Sequence, residues 1–276
     1  MTHDYEKRKK VILILFIILF GSLLYLYLTV PEEFKNQENP ASNSPLDMFD
    51  KSAVIFDAIT IYGTKGVPAE KLKHAAKVTA QWLDNNQDGQ IDDNNLQESL
   101  IKNKAVVIMS KDGFSTVPMV QIISKFLGHA LQDLSAEETN NPERRDASQE
   151  EIHHIIMNAG FQKMLPSAFS DQESDGSMLY EIWKYADDNG FYAYNDPTCD
   201  DACKTTEFVY LATAAYLDSQ ADLFSDEMRV KTRAALKEEL PEIIEIFESN
   251  AYVYPIHIWP DGNYKYNSNI KYFGLE

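Results

Sequence analysis

Apolar positions recur at helical spacing over residues 69–83, where Leu72, Ala75, Ala76, Val78, Trp82 and Leu83 supply the buried side. The same period runs through residues 117–134, 177–187, 204–219 and 226–250, the last interrupted by Pro241, which should kink it. Residues 53–62, β-branched and aromatic, predict a strand, and the short apolar run 104–110 predicts an interior one. Together these make a strand, helix, helix, strand unit. Residues 254–266 predict a hairpin turning at Pro260, Asp261 and Gly262, with His257 facing the side opposite Ile256 and Ile258, toward the site. The expected fold class is α+β, mainly helical, with a small sheet.

Residues 146–161 carry the densest chemistry. At about 100° per residue Ile152, Ile155, Ile156 and Ala159 share one face, and Glu150, Glu151, His153, His154 and Asn158 share the opposite one. Asp146 or Ser148 can serve as N-cap, and Gly160 is a natural stop. A short amphipathic helix with one polar side is predicted. Glu150 and His154, four residues apart, lie one above the other and can share a metal ion, with Glu151 beside them to handle a proton. A solvated face stitched by Glu–His pairs fits the same spacing.

Charge and the N-terminal pattern change the picture. The chain has 276 residues, 44% of them hydrophobic, and a net charge of −18. Residues 1–30 hold four basic and two acidic side chains, so the remainder carries −20. Such a body repels nucleic acid, which excludes that class of partner. The basic cluster at residues 7–10 precedes an uncharged run, 11–30, of twenty mostly Val, Ile, Leu and Phe residues, about the ~30 Å of a bilayer core when helical. This predicts a transmembrane signal-anchor with residues 1–10 cytoplasmic; a cleaved signal peptide competes, but no small-x-small site follows. Residues 31–48 predict a polar stalk, and 49–276 an extracytoplasmic domain held at a bacterial inner or plasma membrane, periplasmic or extracellular.

The helix at 69–83 runs directly into residues 84–96, DNNQDGQIDDNNL. This segment resembles an EF-hand or dockerin-type calcium loop. The resemblance implies that Asp84, Asn86 and Asp88 supply oxygens at positions 1, 3 and 5, Gly89 makes the sharp turn, the Gln90 carbonyl serves at 7 and Asp92 at 9. Asn95 stands at position 12, where the family has a bidentate acid, so a weak site suited to extracellular calcium is expected. A single loop argues for a brace, not a switch. An acidic helix-turn-helix loop without ion is the other reading.

Glu150, Glu151, Ile152, His153 and His154 together resemble the His-Glu-x-x-His helix of the zincin metallopeptidases, with glutamate in place of the first histidine. That resemblance implies Glu150 and His154 as metal ligands and Glu151 as general base. In the gluzincin branch the third ligand is a glutamate on a downstream helix. Glu207, on the largely apolar helix 204–219, is the candidate, although the dipole at that helix's N-terminus can also satisfy it. Cys199 and Cys203, the chain's two cysteines, fit a local disulfide in an oxidising compartment better than a metal site. From about residue 53 onward the chain also resembles a group of exported proteins sharing Leu-Asp-Asn-x-x-Asp-Gly, Glu-Glu-x-x-His and Cys-x-x-x-Cys-x-x-x-Glu elements, here at 83–89, 150–154 and 199–207. No activity comes with that resemblance.

The expected protein is therefore a membrane-anchored, calcium-braced domain whose second metal, zinc, iron or manganese, serves hydrolysis of a peptide bond. A non-catalytic calcium-binding envelope or adhesion module is the alternative.

Overall fold

The computed structural model describes residues 48–275 apart from 220–222 and 224. The expected anchor and the stalk up to residue 47 lie outside the described residues. Among the described ones, no helix is long and apolar enough to cross a membrane.

The chain is α+β, with helices around one five-stranded sheet in the order β4-β3-β2-β1-β5. Strands β1 (Phe49–Ile55) and β2 (Ile59–Thr64) are antiparallel, and β3 (Val106–Ser110) and β4 (Leu131–Ser135) extend the sheet in parallel from β2. The last strand, β5 (Ile270–Phe273), pairs antiparallel with β1. The single strand expected over 53–62 is in fact a hairpin. Phe56 and Asp57 both take positive φ, and Ala58 N–H donates to the Ile55 carbonyl at 2.9 Å, the primed turn that suits a twisted pair.

Between β2 and β3 the chain forms α1 (Ala69–Leu83) and α2 (Asn94–Lys102), as the spacing predicts. Between β3 and β4 the expected helix is cut short: α3 (Thr116–Lys125) ends at Phe126, Gly128 takes φ +78°, and the remainder forms β4. The alternation of β3 sends Val107 and Met109 into the main core and Val106 and Ile108 into a smaller one beneath α3.

The histidine helix, α4 (Ala147–Ile156), packs against β4 and α1. Gly160 does not stop it. The turn Met157–Phe161 widens to π geometry and the helix continues to Met164. Its loosened carbonyls are taken up: Ser99 Oγ–H donates to Ala159 O and Gly160 O at 3.0 and 3.1 Å, and Asn103 Nδ2 donates to Ala159 O at 3.0 Å. Glycine is required there for close approach, since a Cβ would lie 2.4 Å from Leu96 Cδ1.

Helices α5 (Met178–Asp188) and α6 (Asp201–Tyr216) follow, capped by Ser177 and Asp200. The Cys199–Cys203 disulfide is formed and spans the start of α6. The long C-terminal helix expected from 226 begins only at Arg233, where Thr232 caps it, and divides into α7 (Arg233–Glu239) and α8 (Pro241–Phe247) at the proline. Residues 254–266 form no hairpin. They lie as an irregular strap across the 84–93 loop, held by side chains of α1 and that loop. His257 is exposed and does not face the histidine helix.

Gly262 sits in this strap at φ +77°, and a Cβ there would fall 2.3 Å from His74 Nδ1. His74 cannot step aside, because its Nε2 donates to Asp146 Oδ2 at 2.5 Å. Gly262→Ala should therefore cost roughly 2–4 kcal/mol, from left-handed backbone and overpacking together. Urea denaturation reads this directly; a loss below about 0.5 kcal/mol would mean the strap yields.

Candidate metal centre

The N-cap of α4 is Asp146. Its Oδ1 accepts from the N–H groups of Ser148 and Asn140 at 3.0 and 2.9 Å and from Ser148 Oγ at 2.7 Å. Burial raises its pKa, but the bonds from His74, Asn140 and Ser148 outweigh that and hold it below the usual carboxylate range. This fixed start sets the next two turns, which carry Glu150 and His154.

Neither histidine stands on a solvated face. His153 and His154 are both buried, so α4 is enclosed all round and the expected polar side is an interior site. The Nε2 of His153 shares a hydrogen bond with Tyr254 Oη at 3.0 Å, and Thr213 Oγ1 bonds the same hydroxyl at 2.8 Å. Burial, with the neighbouring His154 charge, pushes His153 well below the imidazole range, so it stays neutral. His153 is a structural residue that braces α4 against α6 and the strap.

His154 points the other way. Ligand atoms of Glu150, His154 and Glu207 all lie within 4.8 Å of one another, and their side chains are 13, 8 and 12% exposed. His154 Nε2 is 3.6 Å from Glu207 Oε2, which is too long for a hydrogen bond, and this buried nitrogen has no hydrogen-bond partner. Glu207 comes from the second turn of α6, inside the helix and beyond its capped N-terminus.

Burial drives the His154 pKa down, but the Glu207 carboxylate, the hydrogen bond from Glu151 and the charge of Glu150 overcome it and raise it to about 9. Glu207 is raised above the carboxylate range by burial; the His154 charge opposes this, while a hydrogen bond shared with Glu150 adds to it. Two carboxyl groups can share a hydrogen bond only while holding a proton. The cluster therefore retains protons that an isolated set of the same residues would shed.

Glu151 does not sit where a base beside Nε2 would. Its Oε2 is 3.4 Å from His154 Nδ1, on the other edge of the ring, and accepts from Gln132 Nε2 at 2.5 Å. Gln132 belongs to β4, so the sheet fixes the carboxylate and the carboxylate fixes the ring. Arg145, one residue before the cap, places its two terminal nitrogens 3.4 Å from Glu150 Oε2 and 3.7 Å from Glu227 Oε2. Half-buried Tyr194 has its pKa raised to about 12, by burial first and then by Glu207, Glu150 and Glu227, so its phenol stays protonated beside the site. Of these surrounding groups, Arg145 and Tyr194 were visible in sequence as a basic residue one turn before Glu150 and as part of an aromatic run, but nothing there assigned them to the site. Gln132 and Glu227 left no sequence signal.

The calcium-type loop is organised by its own side chains. Asp84 Oδ1 accepts from Asp88 N–H at 3.0 Å, Asn86 Oδ1 from the same N–H at 2.8 Å, and Asp88 Oδ1 from Gln90 N–H at 2.8 Å. Asp84 Oδ2 also accepts from Gly89 N–H and from the Tyr264 hydroxyl, at 2.9 and 2.6 Å. Asp92 Oδ2 accepts from Asn85 N–H at 2.7 Å while its Oδ1 is buried without a partner, and burial raises its pKa. Asp93 caps α2, and Asn95 is exposed on its first turn. Among the described residues, the His and acidic groups that close within 4.8 Å of each other are those at Glu150, His154 and Glu207.

Comparison with family models, with curated proteins and with solved structures finds no match to this chain.

Proposed function

We propose that Glu150, His154 and Glu207 bind one divalent transition-metal ion, and that the protein is a membrane-anchored, extracytoplasmic metal-dependent hydrolase with a zincin-like helix. The observation that carries this reading is the His154 imidazole: its Nε2 is dry and unpaired, and two carboxylates converge on it. A buried nitrogen without a partner costs about 1–3 kcal/mol, and a cation relieves that cost together with the repulsion between Glu150 and Glu207. Four carboxylates, those of Glu150, Glu151, Glu207 and Glu227, meet only the Arg145 guanidinium and one imidazole, an excess that a dication balances.

A metal held there supplies Lewis acidity and brings the pKa of a bound water toward neutrality. The chain's own groups would then divide the work. Glu151, held by Gln132, orients the ring and keeps its Nδ1 proton, as carboxylates behind metal-bound imidazoles do. Arg145 restrains Glu150, and the Tyr194 hydroxyl is a neutral hydrogen-bond donor facing the carboxylates. The best base beside the site is a carboxylate on the Nε2 side, which moves that role away from Glu151. Peptide bonds remain the proposed substrate class, from the zincin resemblance of the helix.

The test is metal content by mass spectrometry on the full-length chain, extracted in detergent and purified without a histidine tag. Near-stoichiometric zinc, manganese or iron that is lost in His154→Ala and Glu207→Gln supports the centre and justifies a peptidase screen. No transition metal in the wild type sinks it. Glu151→Gln should retain the metal but bind it about 10–100-fold more weakly, because only the ring's orientation is relaxed.

The second reading, a calcium-binding brace, is favoured by one observation of its own. Asp92 Oδ1, at the ninth loop position, is buried and unpaired while Asp84, Asn86 and Asp88 crowd the same turn. The anchor at residues 11–30 is part of both readings.

A further inference from the structure

Four of the eight large apolar side chains that stand exposed among the described residues lie on one side of the molecule: Ile101 after the last turns of α2, and Val120, Ile123 and Leu127 on or just after α3. Val120 is 62% exposed and Leu127 74%, whereas Ile122 and Phe126 of the same helix are buried against β3. The two loops that carry Ile101 and Leu127 are adjacent, since Ala130 N–H donates to the Asn103 carbonyl at 2.9 Å. A helix flank left bare in this way marks a surface that something covers.

Charge identifies the cover. Residues 99–132 contain Lys102, Lys104, Lys111 and Lys125 and a single acid, Asp112, in a chain whose net charge is −18. Lys102, Lys104 and Lys125 are exposed at the same end as Leu127, and the loops between them hold no carboxylate. Apolar side chains standing among lysines suit an anionic lipid surface, where the apolar groups enter the acyl boundary and the ammonium groups meet phosphate. The path of the chain agrees. Met48 and Phe49, the first described residues, pack into the small core beneath α3, where Phe49 lies 6.4 Å from Phe126 and 6.5 Å from Phe114, centroid to centroid. Only seventeen residues separate that point from the apolar run ending at residue 30. The domain's entry point is therefore tethered beside the same face.

We infer that the α3 side, through Ile101, Val120, Ile123 and Leu127 with Lys102, Lys104 and Lys125 around them, docks on the anionic surface of the membrane that anchors the chain. The inference rests on reading residues 11–30 as an anchor and is independent of the metal centre. Docking turns the helices α5, α7 and α8, with Glu181, Glu238, Glu239 and Glu242 lining a cavity of about 500 Å³, into a region free to meet soluble partners.

The experiment uses the full-length chain carrying Leu127→Cys, labelled with an environment-sensitive fluorophore; the two native cysteines are paired and do not react. It is reconstituted into vesicles of phosphatidylcholine alone or with about one-third phosphatidylglycerol. The expected result is a blue shift and about a twofold brightening in the anionic vesicles, reduced by Lys102→Glu with Lys125→Glu, and absent for a label at Glu239→Cys. A chain that floats with vesicles while the Leu127 label stays as wet as the Glu239 label overturns docking and leaves the anchor standing. A chain that does not float overturns both. A shift that follows protein concentration in detergent, before any lipid is present, makes a second copy of the chain the occupant and also overturns the proposal.

Discussion

Zinc affinity of the full-length protein should rise about 100-fold between pH 6.5 and 8.5 and level off near pH 9. The metal needs the lone pair of His154 Nε2, and with that imidazole raised to about 9 the proton must be displaced at every pH below it. Each unit of pH then costs about tenfold in apparent affinity, and more where the proton held by Glu207 is displaced as well. Without metal, stability moves the other way. His154 and Glu207 both have folded pKa values above their unfolded ones, so the stability they contribute is complete below the unfolded values. It is lost as pH rises, from about 4.5 for Glu207 and about 6.5 for His154, through their raised folded values. The gain in Tm on adding zinc should accordingly widen from pH 6.5 to 8.5. Competition with a chromophoric chelator at three pH values measures the slope. A flat profile would show that no proton leaves the cluster, and the imidazole would then be no ligand. Glu207→Gln should weaken binding at every pH, and its slope should not exceed one proton.

Three separate segments of sequence converge on this centre, and they were unequally visible. Glu150 and His154 are one helical turn apart, so their adjacency follows from period alone. Glu207, more than fifty residues later, was recognisable because a carboxylate among Phe208, Val209, Tyr210 and Leu211 demands a partner. The orientation of Glu151 was not recognisable, because it depends on Gln132, and Gln132 lies in β4, in a stretch whose spacing reads equally well as helix. Short apolar runs carry that ambiguity, and Gly128 at positive φ is what resolves it. The β1–β2 hairpin was hidden for a related reason: its turn residues, Phe56 and Asp57, are left-handed without a glycine to announce it. The burial of His153 was misjudged because an amphipathic wheel assumes water on one side, whereas α4 is covered on that side by α6 and the strap. Gly160 misled in the same way: a glycine near a helix end usually marks a cap, and here it admits Leu96.

The largest stability effect outside the core should come from a residue that the calcium-type pattern leaves without a role. Asn85 is the second position of the loop, where no ligand is called for, yet it is fully buried. Its Nδ2 donates to the carbonyls of Gln81 and Ile258 at 3.0 and 2.9 Å, and its Oδ1 accepts from the N–H groups of His257 and Ile258 at 2.6 and 3.1 Å. One carboxamide thus ties the end of α1 to the C-terminal strap. Asn85→Ala leaves three backbone groups of the strap to find water or remain unpaired, at about 1–3 kcal/mol for each that stays buried. A loss of roughly 3–5 kcal/mol is expected in urea denaturation, a large share of the ~5–15 kcal/mol that holds a domain. Asn86→Ala removes an exposed side chain that accepts only from Asp88 N–H and should cost less than about 1 kcal/mol in calcium-free buffer. With calcium the two should part differently. If the loop binds the ion, Asn86→Ala loses much of the calcium-induced rise in Tm, because a ligand oxygen is gone, whereas Asn85→Ala starts from a lower Tm and still gains from calcium. If neither the wild type nor either variant responds to millimolar calcium, the loop is a purely covalent and hydrogen-bonded clasp, and Asn85 is the residue that closes it.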